Sequence, residues 1–563
     1  MIAAMACSRA PEDIPRGRIH LAIGTPGTAH ARKTFVEPEG VFSPGVGSYG
    51  IYFRVNGEVP EHIEYGLPPD GALIPWSRWR SGEVEVRVEL CQVRDVVAAR
   101  VSLTNRGVRE AEARLTASIR EVGPAGGPIE ETSMREDAYF VDGRVALVPT
   151  GAFARLLPGE SRVIGFVAPV KCDGDRQDCL SSTDVDALFV EAAAYWKSDV
   201  SIETPDRRWN EAFSTIPSHI AMTLDEGGAL DVAILNYETF TRDAVYMIAV
   251  LERKGMHAMA ERAIEYLLAH PFSGRPEPEA DNPGQVLWIA GEHYLHTRDE
   301  AWRSRILPKV LELTRIIEER PRYVMVDGKR KELIPGACDG IHPEYTEAFD
   351  IAGLRAAAML TNDGRWSALA EQRVRQYDGR FGNDPTAGYG AYTWPARLYG
   401  EQYESISPQP PSEWRYFAPA AAHQALLAGN RETAARTLAL HFEEPQLRGW
   451  YVLDEGGPSE PGYWPKLRTT WRAEVAMPHG WAIAELWLLI RDSLVYEDGN
   501  RLVLLAGVPE EWLSQRIAVR NLPTHFGPLS FVYENGVLTT SGAAPPGGIT
   551  VARGSGGSGP PAP

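Results

Sequence analysis

Acidic and aromatic side chains are concentrated between the predicted helices of residues 206–494. One such connection, residues 236–243, reads Asn-Tyr-Glu-Thr-Phe-Thr-Arg-Asp, and a late one, residues 478–481, reads Pro-His-Gly-Trp. Aromatic rings can stack on the C–H faces of a sugar, and paired carboxyl groups can move protons around a glycosidic oxygen. These residue types predict a carbohydrate site, and glycoside hydrolysis is the chemistry that they would support.

The carboxyl group that would protonate the leaving oxygen is expected in a loop before a predicted inner helix. We rank Asp339 first and Glu344 second, because both lie in a Gly- and Pro-rich loop at that position. Two simpler explanations stay open. Asp339 could only form a turn with Gly340, and Glu344 could only favour the first turn of its helix through the helix dipole.

The carboxylate that would activate water is expected in the loop 454–464 or just after residues 469–472. Glu460 ranks first, because its surroundings are rich in Gly, Pro and aromatic residues. Glu474 ranks second, since it follows a Thr-Thr-Trp-Arg segment; it could instead pair with Arg472 or Arg468.

Sugar-binding side chains are predicted around the same loops. Arg242 and Asp243 adjoin the start of a predicted helix, where they could hold sugar hydroxyls or form a buried ion pair. Glu238 could be a ligand or a helix-capping partner. The other residues predicted to line the pocket are Trp394, Trp464, His479 and Trp481. A lone histidine more often completes a hydrogen-bond network than it catalyses.

No metal or cofactor is predicted. His293, His296 and His342 lack a His-x-x-x-His pattern with a carboxylate, and the chain has no Cys-x-x-Cys pair. Cys172 and Cys179 flank a turn-rich loop and could form a disulfide, which the sequence leaves open.

Composition limits the partners. The 563-residue chain has a formal net charge of −18, which argues against nucleic acid and against an anionic membrane. No apolar run reaches the ~18–20 residues of a membrane span. The N-terminus is a poor signal peptide, so a cytoplasmic location is favoured, with a secreted or periplasmic one left open.

The positioning elements are predicted to form a multidomain α+β protein. Alternating apolar and polar residues, such as 83–90, predict an N-terminal antiparallel β-sandwich over residues 1–183. A helical linker is expected at 184–205. About twelve helical segments within 206–494 fit six hairpins closed into an (α/α)6 toroid. A small C-terminal β-sandwich over 495–553 and a flexible tail over 554–563 complete the chain.

Four segments resemble the six-hairpin glycosidases, which include glucoamylase-like enzymes, debranching-enzyme-like enzymes and α-L-rhamnosidases. They are residues 240–246, 281–288, 336–344 and 478–487. In that family the first segment binds hydroxyls of the terminal sugar, the third often holds the general acid, and the last is the closing inner helix. The glucoamylase Trp-Glu-Glu is absent at the acid position.

The resemblance implies a hydrolase that removes terminal sugars with inversion, in which Asp339 protonates the leaving group and Glu460 activates water. Two other functions stay open. A polysaccharide lyase on a similar toroid would need a Tyr/His pair and a basic funnel, and the negative charge counts against it. A carbohydrate-binding protein without activity would keep Trp394, Trp464 and Trp481 but not the carboxylates.

Overall fold

The computed structural model has a mixed α+β fold in two compact units. The described residues are 19–121, 127–170, 180, 183–235, 237–274, 277–319, 321–326, 328–333, 342–380, 393–398, 406–457 and 476–552. Described residues up to 197, with 234–235 and 476–478, form the first unit. The second unit contains the described parts of 198–233, 237–457 and 479–552.

The first unit is built from antiparallel sheets and one helix. Its strands are β1 Leu21–Ile23, β2 Thr34–Val36, β3 Phe42–Ser43, β4 Gly50–Val55, β5 Glu64–Gly66, β6 Trp76–Ser81, β7 Val84–Val93, β8 Val96–Asn105, β9 Ala111–Arg120, β10 Thr132–Arg135, β11 Ala138–Val141, β12 Arg144–Leu147, β13 Gly151–Leu156 and β14 Ser161–Pro169. The helix, α1, is Val185–Trp196, and Asp184 caps its first turn through the amides of Asp186 and Ala187.

The two larger sheets have the strand orders β1-β2-β3-β4-β9-β13 and β14-β8-β7-β6-β5. Val84, Val86 and Val88 of β7 are buried while the residues between them are partly exposed, as the sequence alternation predicts. Phe53 of β4 contacts Phe166 of β14, with ring centroids 4.9 Å apart. The two sheets therefore share part of a hydrophobic core, and the predicted antiparallel β structure is confirmed.

The second unit contains ten described helices. They are α2 Arg207–Met222, α3 Thr241–Lys254, α4 His257–Ala269, α5 Asn282–Thr297, α6 Glu300–Glu318, α7 Pro343–Thr361, α8 Gly364–Arg380, α9 Phe417–Leu427, α10 Arg431–His441 and α11 Gly480–Leu494. Between α8 and α9, the described residues 393–398 form only a 3₁₀ turn, Trp394–Ala396. The cysteines at 172 and 179 lie outside the described residues.

Five helices pack in a closed ring. α3 contacts α5, α5 contacts α7, the Trp394–Ala396 turn bridges α7 and α9, and α11 contacts both α9 and α3. Every residue of α3 and of α11 is buried. By contrast, α4 buries one face, with Ala260, Ala263 and Ile264 inside. Helices α2, α4, α6, α8 and α10 pack on the ring helices.

The second unit also carries short strands. They are β15 Ser201–Glu203, β16 Tyr323–Val326, β17 Lys329–Glu332, β18 Val495–Asp498, β19 Arg501–Leu504, β20 Ile517–Leu522, β21 Leu529–Glu534, β22 Val537–Gly542 and β23 Ile549–Val551. They form the sheets β15-β20-β21-β22 and β18-β19-β23 and the hairpin β16-β17. Among the described helices, none combines the length and apolar character that crossing a bilayer requires.

Candidate functional site

The candidate site lies where the first turns of α3 and α11 meet the segment 450–457. Backbone hydrogen bonds fix this junction: the amide of His479 donates to the carbonyl of Leu453 at 2.8 Å, and the amide of Gly480 donates to the carbonyl of Val232 at 2.7 Å. Gly480 permits the close approach to Val232, because a Cβ there would lie 3.0 Å from the Val232 carbonyl oxygen. The start of α11 is therefore held against two separate chain segments.

His479 is the central side chain of the site. Its Nδ1 accepts a hydrogen bond from the amide of Ala482 at 3.2 Å and so caps α11. Because Nδ1 is the acceptor, the proton of the neutral ring lies on Nε2. Burial lowers the pKa of His479 to about 3, so the ring is neutral at pH 7. The Nε2 atom is buried and makes no hydrogen bond within the described part of the chain.

Two buried carboxylates face that nitrogen. Asp243 Oδ1 and Glu455 Oε1 each lie 3.8 Å from His479 Nε2. These distances are too long for direct hydrogen bonds, but one oxygen atom between two such groups can lie about 2.8 Å from both. The three side chains, called the histidine clamp below, offer one donor and two acceptors to a small polar group.

Asp243 lies in the first turn of α3, beside Arg242, as the sequence predicts. Two hydrogen bonds from Thr241 fix the turn: its amide donates to the carbonyl of Ser273 at 3.2 Å, and its hydroxyl donates to the carbonyl of Pro271 at 3.0 Å. The first turn of a helix favours a carboxylate through the helix dipole. The position of Asp243 is therefore set by the helix start itself.

Arg242 is buried and pairs with Glu279, with Nη1 and Oε1 3.5 Å apart. Its guanidinium carbon also lies 5.9 Å from the centre of the Trp481 ring. A buried arginine requires such a counter-charge. Arg242 therefore has the structural ion pair that the sequence left open, next to the clamp.

Glu455 is the clamp residue that the sequence argument overlooked. Tyr237 donates its hydroxyl to Glu455 Oε1 at 3.0 Å, and burial together with Asp243 and Glu455 raises the pKa of Tyr237. Gly456 follows with φ +87°, and a Cβ there would lie 2.0 Å from the carbonyl oxygen of Glu413. The Asp-Glu-Gly-Gly sequence at 454–457 was the available signal for a constrained acidic turn.

An aromatic column stands beside the clamp. Trp481 stacks between Tyr416, at 4.2 Å and 11°, and Tyr246, at 5.3 Å and 14°. Trp414 continues the column beyond Tyr416, at 6.2 Å and 17°. Since aromatic rings cover both faces of Trp481, it forms an inner wall, and the half-buried Trp414 is the column's partly exposed member.

Glu485 is buried on α11, one turn after Trp481. One of its oxygens accepts a hydrogen bond from the indole N–H of Trp481 at 3.1 Å, and the other accepts one from the indole N–H of Trp394 at 3.2 Å. Burial raises the pKa of Glu485 to about 8 in spite of these donors. The protein therefore keeps a protonated carboxyl group here at neutral pH. The sequence favoured an ordinary helix carboxylate at this position.

Asp281 and Gln285 form a network on α5. Gln285 Nε2 lies within hydrogen-bond distance of Asp281 Oδ2, at 2.7 Å, and of the Tyr345 hydroxyl, at 3.1 Å. Burial and the nearby Glu279 carboxylate raise the pKa of Asp281 to about 7. The segment 281–288, which resembles a family segment, thus places a titratable carboxyl group in the helix ring.

The other predicted residues are distributed as follows. Glu344, in the first turn of α7, lies 3.4 Å from His342 Nδ1, and Glu238 is exposed. The structure thus brings Asp243 and His479 together, with Trp394 and Trp481 linked through Glu485. The predicted residues outside the described part of the chain are Asp339, Glu460, Trp464 and Glu474.

Solved structures similar to this chain include a bacterial glucoamylase complexed with acarbose, at 12% identity and a TM-score of 0.49, covering 85% of this chain and 94% of that chain. A GH78 family rhamnosidase of Bacillus sp. GL1 matches at 11% identity and a TM-score of 0.43, covering 82% and 54%. A family GH92 α-mannosidase from Bacteroides thetaiotaomicron matches at 12% identity and a TM-score of 0.37, covering 90% and 86%. No protein-family model and no curated protein sequence matches.

These neighbours are glycosidases, and glucoamylases and rhamnosidases are among the kinds of enzyme that the sequence segments resemble. At these identities and TM-scores the likeness does not decide which reaction this chain performs. The reaction has to follow from the residues of the site.

Proposed function

We propose that this protein is a glycoside hydrolase that acts on terminal sugars of oligosaccharides or glycosides. The observation that carries the proposal is the histidine clamp, in which a neutral histidine N–H and two carboxylates surround one small volume. A sugar hydroxyl fits this pattern, because it accepts one hydrogen bond and donates another. Its single proton goes to Asp243 or to Glu455, and a neighbouring hydroxyl of the same sugar can donate to the other carboxylate. Hydrogen bonds to charged acceptors are the stronger kind, so the sugar would be held firmly.

The clamp favours a neutral ligand. Asp243 and Glu455 bring negative charge to the site, and the whole chain carries a formal net charge of −18. Phosphates and uronates would be repelled, whereas a neutral glycosyl group would not. The aromatic column ending at Trp414 supplies the apolar surface that accompanies sugar binding.

The proposed acid and base remain those that the sequence predicts. Asp339, with Glu344 as second candidate, protonates the leaving oxygen, and Glu460, with Glu474 as second candidate, activates water for inversion. Glu455 joins the candidates for the base, because it is a buried carboxylate five residues before Glu460. Its hydrogen bond from Tyr237 orients one oxygen.

The proposal includes the domain layout. It places a β-sandwich in 1–183, a helical linker in 184–205, the (α/α)6 toroid in 206–494 and a C-terminal β domain in 495–553. The closed ring of α3, α5, α7, α9 and α11 supports the toroid, and the Phe53–Phe166 contact supports the sandwich. In such a toroid, loops at the starts of the inner helices would surround the substrate.

The surroundings of Tyr237 count against a lyase. Tyr237 and His479 are neighbours, with ring centroids 5.5 Å apart, and so resemble the Tyr/His pair that a lyase needs. A tyrosine that removes a proton needs a lowered pKa, whereas burial and the nearby carboxylates raise that of Tyr237. The hydrolase is therefore the better match.

The test is a screen of aryl glycosides and neutral oligosaccharides against wild type, four variants of the proposed site and one control variant. We expect Asp339→Asn and Glu460→Gln to lower kcat by about 10²–10⁴-fold. Asp243→Asn and Glu455→Gln should lower kcat/KM, since hydroxyl binding is weakened. Glu432→Gln is the matched control, because its exposed carboxylate lies on α10.

The outcomes separate the parts of the proposal. Activity unchanged in both Asp339→Asn and Glu460→Gln would refute the acid/base assignment. Unchanged kcat/KM in both clamp variants would refute the role of the clamp. No hydrolysis of any glycoside by wild type would refute the function, and NMR of the first-formed anomer decides inversion against retention.

A further inference from the structure

A second cluster of histidine and glutamate lies within the second unit, on other residues than the histidine clamp. Glu292 and His296 occupy successive turns of α5, and His525 comes from the turn at 524–527. One ligand atom from each of the three residues lies within 4.8 Å of the others. Glutamate and histidine at this helical spacing share a face, so both can reach one point.

His296 is oriented for a ligand. Its Nδ1 lies 2.9 Å from the carbonyl oxygen of Glu292, which can only accept, so Nδ1 carries the proton. The Nε2 lone pair is thereby left available, and this buried atom has no hydrogen-bond partner within the described residues. A metal-binding histidine commonly donates its other ring nitrogen to a backbone carbonyl in this way.

His525 is held rigidly on its turn. The amide of Thr524 donates to the carbonyl of Gly527 at 3.2 Å, and the amide of Gly527 donates to the carbonyl of Thr524 at 3.1 Å. Arg298 donates to the backbone carbonyl of His525 at 3.2 Å. The ring packs edge-on against His296, with centroids 4.9 Å apart. The turn thus brings a second imidazole to the first one.

Glu292 completes the cluster. Its Oε2 lies 3.2 Å from His525 Nε2 and accepts a hydrogen bond from Arg253 at 2.7 Å. In a tetrahedral zinc site with bonds of about 2.0–2.1 Å, ligand atoms lie about 3.3 Å apart. The spacing of His525 and Glu292 is close to that value.

We propose that Glu292, His296 and His525 bind a divalent first-row transition ion, for which Zn²⁺ is the test ion. Two imidazole nitrogens and one carboxylate oxygen form a donor set that suits zinc, with water as the fourth ligand. The ion would take the place of the proton in the hydrogen bond between His525 Nε2 and Glu292, and the neutral His525 ring would then carry its proton on Nδ1. Arg253 remains on the carboxylate, and its positive charge keeps the affinity moderate.

The neighbouring Glu252 is not part of the proposed site. Its two oxygens are engaged by His293 Nδ1, at 2.5 Å, and by His257 Nδ1, at 2.6 Å. The ion would therefore join α5 to the 524–527 turn through three residues alone. This inference does not depend on the glycosidase proposal, because it uses none of that site's side chains.

The test is a titration of untagged, chelator-treated full-length protein with ZnCl₂, followed by calorimetry and by elemental analysis after dialysis. We expect one zinc per chain with a Kd of about 1 μM or tighter, and a rise of a few degrees in Tm at saturation. His525→Ala and His296→Gln should each weaken binding at least 10-fold. His270→Ala, with its exposed histidine, should bind as wild type does.

Circular dichroism of each variant without zinc checks the fold, and His525→Ala is the safer variant because His525 lies on a partly exposed turn. Absence of saturable binding to wild type would overturn the proposal. So would wild-type affinity in folded His525→Ala or His296→Gln.

Discussion

Replacement of Glu485 by Gln should abolish one component of the pH dependence of stability. Glu485 is fully buried, and burial raises its pKa from the usual 4.5 to about 8. This pKa difference means that the folded state favours the protonated carboxyl group over the ionised one by at most roughly 5 kcal/mol more than the unfolded state does. Glutamine has nearly the same shape and does not titrate, so it isolates this effect.

The sign follows from proton binding. The folded state holds a proton that the unfolded chain releases above about pH 4.5, so the stabilisation is complete below that pH and is lost as the pH rises through 8. Between pH 5 and pH 8 wild type should lose roughly 3–4 kcal/mol of unfolding free energy from this carboxyl group alone. Glu485→Gln should lack that loss.

At pH 5 the variant should be less stable than wild type by about 1–3 kcal/mol. The amide NH₂ would face one of the two indole N–H groups, from Trp394 or Trp481, and one hydrogen bond would be lost. As the pH rises, the two stability curves should converge and then cross. Crossing is the specific signature, because a purely structural defect would give parallel curves.

The assay is denaturant unfolding followed by tryptophan fluorescence at half-unit steps from pH 5 to 9. The measured quantity is the wild-type minus variant difference, since other titrating groups cancel in it. Glu432→Gln, at an exposed carboxylate, supplies the control. A difference that stays constant within about 0.5 kcal/mol across this range would refute the high pKa of Glu485.

Three further predictions concern the helix ring. Gly284→Ala should lower the free energy of unfolding by at least about 2 kcal/mol, because the new Cβ would lie 2.3 Å from the Phe349 carbonyl oxygen. Gly364→Ala is the control, because a Cβ there meets open space, and equal thermal midpoints of the two variants would contradict this packing. Lys254→Met should raise the free energy of unfolding by about 1–3 kcal/mol at pH 6 and by less toward pH 10, because burial lowers the pKa of Lys254 to about 7. A lower free energy of unfolding at pH 6, measured with denaturant, would refute this prediction. His479→Asn should keep the helix cap, and its Tm should stay within about 2 °C of wild type, but its glycosidase kcat/KM should be at least about 10-fold lower. Activity equal to that of wild type would exclude a ligand-binding role for the Nε2 atom of His479.

The sequence predicted those features that depend on local pattern. The alternation at 83–90 predicted the β structure that β7 forms, and the apolar spacing of residues 256–268 is that of an amphipathic helix, which forms as α4, His257–Ala269. Arg242 and Asp243 were correctly expected at a helix start, because short-range helix signals determine that boundary. The β16-β17 hairpin was missed, although Asp-Gly at 327–328 is a known hairpin signal.

Long-range features could not be predicted in this way. Glu455 and Asp243 reach the same histidine only because α11 packs on α3, and periodicity does not specify which helices become neighbours. Glu485 resembled an ordinary helix carboxylate, since the position of Trp394 was unknown. The functional roles of Asp339, Glu460, Glu474 and Trp464 stay predictions.

The hydrogen bond from Tyr237 to Glu455 joins residues 218 positions apart, and this separation has a consequence for biosynthesis. At roughly 5–20 residues per second, a ribosome needs on the order of 10–45 s to make the second half of the histidine clamp after the first. During that interval the polar start of α3 has neither α11 nor Glu455 beside it. Any chain that stops before α11 lacks the clamp, and so the assembled clamp can arise only late in synthesis, when the ring closes.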